Sequence, residues 1–138
     1  MELNRETIQG RLDLIDRNIQ FLGEYAEMEE EQFLGSYKDI QAVKHSLLEI
    51  IEACLDIGSH IISIQGLQRP ETYSDTFRIL GTENFIGSEL SEKLEKMAGF
   101  RNILIHDYLI VNDARILQYV KEDLGDIKEF VSCVMELV

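Results

Sequence analysis

Arg101, Asn102, His106 and Tyr108 crowd into residues 101–108 of this 138-residue chain, and their types are those that phosphate binding and proton transfer require. A guanidinium is a planar, permanently charged fork that grips an oxyanion through two N–H groups at once. An imidazole, with an ordinary pKa of about 6.5, takes or gives a proton near neutral pH. Asn102 and His106 are i,i+4 neighbours, so on a helix the carboxamide can orient the ring. Arg101 and His106 lie about 140° apart around a straight helix. They converge on one small target only through a kink, a helix end or a second subunit. Spacing alone leaves plainer readings open: an arginine that snorkels or pairs with one of the 26 acidic residues, and a surface or interface histidine.

The element that must carry these groups is a helix opening at Ser88, a good N-cap. Leu90, Leu94 and Met97 form its apolar stripe, which continues onto Arg101, Leu104 and Tyr108. Arg101 therefore stands where the pattern calls for an apolar side chain, and a guanidinium buried there needs a partner. Tyr108 fits the stripe as a half-buried aromatic or as a hydroxyl at the mouth of a cleft.

Helical periodicity governs the rest of the chain. Ile8, Leu12, Ile15, Ile19, Leu22 and Ala26 mark a first helix over 4–30, closed by the acidic run from Glu27 to Glu31, a solvated face. Val43, Leu47, Ile50, Ile51, Cys54, Leu55, Ile57, Ile61 and Ile62 mark a second over 36–68, with Pro70 ending it. A short helix is expected over 74–80, capped by Thr72 or Ser74. Asn112 should cap the last helix, on which Leu117, Val120, Leu124, Ile127, Val131, Val134 and Val138 repeat at heptad-like spacing. The expected fold is an all-α, up-and-down bundle of four long helices and one short one, in a single domain over 1–138.

Other chemistry-bearing residues are scattered. Asp56 and His60 are an i,i+4 pair, read as a structural hydrogen bond or the wall of a cleft; two groups make a poor metal site, and no metal or cofactor is expected. His45 is taken as incidental. Cys54 and Cys133 belong to no C-x-x-C and read as reduced, buried thiols. A formal charge of −13 disfavours generic binding to DNA, RNA or an anionic membrane, so any phosphate chemistry must sit in a local basic pocket. With no apolar run near the ~20 residues that span a bilayer and no signal-peptide layout at the start, a cytoplasmic location is expected.

The string Gly99-Phe100-Arg101-Asn102-Ile103-Leu104-Ile105-His106-Asp107-Tyr108 resembles the Arg-x4-His-x-Tyr motif of the HepT-like toxins of the HEPN superfamily. Three further stretches strengthen the likeness. Leu55-Asp56-Ile57-Gly58-Ser59-His60-Ile61-Ile62 is similar to the family's second-helix segment, Arg69-Pro70-Glu71-Thr72-Tyr73-Ser74-Asp75 to the loop after it, and Lys96-Met97-Ala98 leads into the motif. The resemblance implies a helical homodimer acting as a metal-independent endoribonuclease on tRNA or mRNA, with two motifs meeting across the dimer cleft. It implies Arg101, Asn102 and His106 as catalytic residues, with Asp56 and His60 as secondary cleft candidates. It also implies a minimal nucleotidyltransferase antitoxin as partner, which silences the toxin by adding AMP to Tyr108.

Cleavage of RNA by its own 2′-OH needs a base, an acid and positive charge for the phosphorane. One chain supplies one His106, so a full acid–base pair requires both subunits of a two-fold dimer. Arg101 would stabilise the developing charge, and Lys93 and Lys96 would join it in a positive groove on an acidic body. The alternative is a non-catalytic dimeric partner of a nucleotidyltransferase, in which the Arg–His pair contacts nucleotide or closes the interface. A further alternative is a plain structural homodimer.

Overall fold

The computed structural model describes residues 4–106 and 112–138, with the backbone but not the side chain of His106. The described residues form seven α-helices and one 3-10 turn: α1 (Arg5–Leu22), the turn Gly23–Tyr25, α2 (Glu30–Leu34), α3 (Tyr37–Ile64), α4 (Tyr73–Thr82), α5 (Ser88–His106), α6 (Asp113–Glu122) and α7 (Leu124–Leu137). No strand occurs among them.

Local capping follows the side-chain chemistry. Asn4, Ser36, Thr72 and Asn112 each accept a backbone N–H from the first turn of the helix they precede. Thr72 forms a capping box with Asp75, whose carboxylate takes the N–H groups of Glu71 and Thr72. α5 starts at Ser88 as expected, but the carbonyl that takes the first intrahelical bond belongs to Gly87, which the Ser91 N–H reaches at 2.9 Å.

Two of the four expected long helices are broken. The first stops at Leu22 because Tyr25 turns into the core. Its ring packs edge-on against Phe21 and Phe33, and its hydroxyl donates to Asp39 at 3.0 Å. Glu27, Glu29, Glu30 and Glu31 stay exposed, the last two on the separate short α2. The last helix divides at Asp123, where φ of −114° leaves the helical range and α7 starts afresh at Leu124 and Gly125. α3 also ends earlier than Pro70 suggested. Gly66 takes the left-handed conformation at φ 63°, and the Leu67 N–H closes back on the Ile62 carbonyl at 3.0 Å.

α3 is the axis of the bundle, with Ile50, Ile51, Cys54 and Ile57 fully covered. α1 runs antiparallel along it. Ser46 donates to Asn18 at 2.7 Å, Arg11 meets Asp56 at 3.0 Å, and His60 Nε2 accepts the Asn4 N–H at 3.1 Å, so the pairing advances along α3 as α1 is followed back toward Asn4. α4 and α5 form a second antiparallel pair, tied by Ser91 to the Phe77 carbonyl and Ser74 to the Glu95 carbonyl. This pair brings the Arg101 end of α5 beside the N-terminus of α4 and the middle of α3. No described helix is long and apolar enough to cross a membrane.

Candidate active site

Arg101 is anchored on two sides. Its side chain is only 14% exposed, and its Nε donates to Glu52 Oε1 on α3 at 2.5 Å. Its guanidinium carbon lies 4.3 Å from the ring centroid of Tyr73, the first residue of α4, within cation–π range. The interruption of the apolar stripe is thus resolved by an ion pair and an aromatic face. The Nε–H is committed to Glu52, while the outer edge of the fork, formed by the Nη groups, keeps its geometry for a second oxyanion.

Asn102 points elsewhere. It is exposed and lines a groove of about 610 Å³ with Ala98, the 70–74 segment and Ser59 of α3. Tyr73 borders this groove as well as the guanidinium, so the groove and Arg101 share a wall. His106 is the last residue of α5, one turn beyond Asn102, which keeps the i,i+4 register expected of the two. The His106 side chain and the whole of Tyr108 lie outside the described residues.

Asp56 and His60 do not bond to each other. Asp56 pairs with Arg11 and His60 receives the Asn4 N–H, so both fasten α1 to α3. His45 is exposed and pairs with Glu49 at 2.9 Å. Lys93 and Lys96 fall on another side of α5, lining a separate groove of about 440 Å³ against α6 and α7; Lys93 there faces Asp126 at 3.8 Å. The groove beside Arg101 has, among its described lining residues, Glu71 as its one formal charge. A positive groove built from Arg101, Lys93 and Lys96 is therefore not present on a single subunit. Among the described residues, no three His, Cys, Asp or Glu side chains gather as ligands of a metal ion.

Sequence reasoning had no means of naming Glu52 or Tyr73 as partners of Arg101. Each sits far from it along the chain, and Glu52 shares its helix face with the polar residues Glu49, Asp56 and Ser59, so nothing local singles it out.

The described residues are an all-α bundle with a clamped arginine and an exposed asparagine on the last turns of the fifth helix, and a solved HEPN toxin shares this bundle. The chain belongs to the HepT-like family: the family model described as Ribonuclease HepT-like matches residues 15–134. It is 35% identical over 103 residues to the mRNA nuclease HepT of Shewanella oneidensis, covering 75% of this chain and 77% of that one. It is 30% identical over 102 residues to the tRNA nuclease HepT of Aphanizomenon flos-aquae, covering 73% and 69%. The fold matches that of the tri-AMPylated Shewanella oneidensis HEPN toxin solved with its MNT antitoxin, with a TM-score of 0.88, 30% identity and 99% of each chain covered.

Proposed function

We propose that this chain is a metal-independent endoribonuclease toxin of a toxin–antitoxin pair, acting on tRNA or mRNA at the cleft of a homodimer. Arg101 binds the scissile phosphate and offsets the charge that builds up in the phosphorane. His106 of each subunit supplies one proton transfer, so that the two-fold pair provides both acid and base. Asn102 orients the imidazole or donates to the phosphate. A nucleotidyltransferase antitoxin silences the site by adding AMP to Tyr108, placing bulk and negative charge two residues beyond His106.

The observation that carries this reading is the clamp on Arg101. A guanidinium held by an acid at one edge and a ring on its face, with little exposure, is preorganised for an anion at its remaining edge. The relatives' names support the activity and the substrate class. The solved toxin–antitoxin complex supports the partner and the modification. The test is RNA incubated in chelator with the wild-type protein, Arg101→Ala and His106→Ala. Cleavage by the wild type alone supports the assignment. Cleavage that survives both substitutions removes it.

The same clamp favours one rival. Glu52 already neutralises Arg101, and the body is acidic, as a non-catalytic partner of a nucleotidyltransferase would be. That reading expects no cleavage by the wild type, with unchanged binding of the nucleotidyltransferase.

A further inference from the structure

We infer that the groove bordered by Tyr73 and Asn102 is a nucleobase subsite, holding the base of the nucleotide whose phosphate Arg101 binds. The inference rests on Arg101 being the phosphate ligand.

The groove's volume, about 610 Å³, is of the size that encloses a small organic group. Its walls are chemically unlike those of an anion site. Tyr73 and Pro70 contribute apolar surface, whereas Ser59, Thr72 and Asn102 contribute neutral donors and acceptors. Among the described lining residues the single formal charge is the Glu71 carboxylate, which repels phosphate and accepts N–H donors. A flat, neutral ring with hydrogen-bonding edges suits this lining, and single-stranded RNA presents such rings for stacking and edge readout.

The link between phosphate and base is Tyr73. Its ring lies 4.3 Å from the Arg101 guanidinium carbon, yet it stays 48% exposed and forms part of the groove wall. A phosphate on the Nη edge of Arg101 therefore has its own nucleoside beside the groove. Asn102, at the next helical position, reaches the groove from the α5 side. Glu71, with acceptors only, favours a base whose edge carries amino and imino N–H groups over one without.

The test compares two uncleavable probes of equal length: a 2′-O-methyl oligoribonucleotide and an abasic phosphate oligomer. Binding is followed by fluorescence anisotropy. Wild-type protein should bind the base-bearing probe about tenfold more tightly than the abasic one. Ser59→Tyr, which fills the groove from an exposed helical position, should abolish most of that difference while leaving abasic binding within about twofold of wild type. Tyr73→Leu, which removes the ring from both Arg101 and the groove, should weaken both probes and lose the base preference as well, and Tyr73→Phe, which keeps the ring, should restore both. Ser59→Tyr that discriminates as well as wild type, or a wild type that does not discriminate at all, overturns the subsite. Arg101→Ala should weaken both probes. If it weakens neither, the phosphate reading falls and the inference falls with it. If it weakens both but the groove variants behave as wild type, the subsite alone is wrong.

Discussion

The Arg101 Nε–H on α5 donates to the Glu52 carboxylate on α3, joining a nearly covered guanidinium to an acid that is 41% exposed. Removing the acid leaves the guanidinium nearly covered without its counter-charge. Glu52→Gln should lower unfolding free energy by about 2 kcal/mol, between the values typical of surface and buried pairs. A double-mutant cycle with Arg101→Gln, read by urea unfolding, should show coupling of similar size. Additive effects would mean that the pair is not formed in solution.

Arg101→Lys keeps the charge but loses the planar fork. If phosphate is gripped through two N–H groups, RNA cleavage should fall on the order of 10²-fold, with the fold retained. A lysine variant cutting RNA at the wild-type rate would show that charge alone suffices.

The α4–α5 pair is close enough that a methyl group at Gly81 would lie 2.4 Å from Ser91 Oγ and 2.6 Å from Ser91 Cβ. Ser91 cannot yield, because its hydroxyl donates to the Phe77 carbonyl in a buried contact. Gly81→Ala should therefore cost about 1–3 kcal/mol. Adding Ser91→Gly should recover part of that loss in thermal melts, since it removes both clashing atoms.

Burial pushes the Cys54 thiol from 9.0 up to about 12. The unfolded chain releases this proton first, so the stabilisation is intact below pH 9 and declines as pH rises toward 12. The Tyr119 hydroxyl, also raised chiefly by burial, acts in the same direction. Urea midpoints should drop between pH 8 and pH 10.5, and the drop should be smaller in Cys54→Ala.

The two cysteines should also differ in reactivity. Cys54 is buried, whereas Cys133 is partly exposed, contrary to the expectation that both are covered; its thiol is raised by partial burial and by Glu129 and Glu136. A disulfide-exchange reagent at pH 8 should label Cys133 slowly in the native protein and reach Cys54 only after unfolding. Equal labelling of both would contradict the packing of α3.

Reading along the chain was enough to give an all-α fold, the apolar faces of its helices, the cap at Asn112, Thr72 as one of two candidate caps, and Arg101 as the residue out of place in its stripe. These are short-range properties: a helix face and a cap are set by residues within one or two turns of each other. The resemblance carried by residues 99–108 led to the family that the matching model names. The breaks after Leu22 and at Asp123 were not legible, because apolar spacing continues through both. What interrupts the first is the tertiary placement of Tyr25 against Phe33 and Asp39. Only the packing register of α3, α4 and α5 decided that Glu52 and Tyr73 meet Arg101, that Asp56 and His60 serve α1, and that Lys93 and Lys96 face a different groove. Partners so far apart in sequence are chosen by how helices dock, and docking depends on the whole set of buried faces at once.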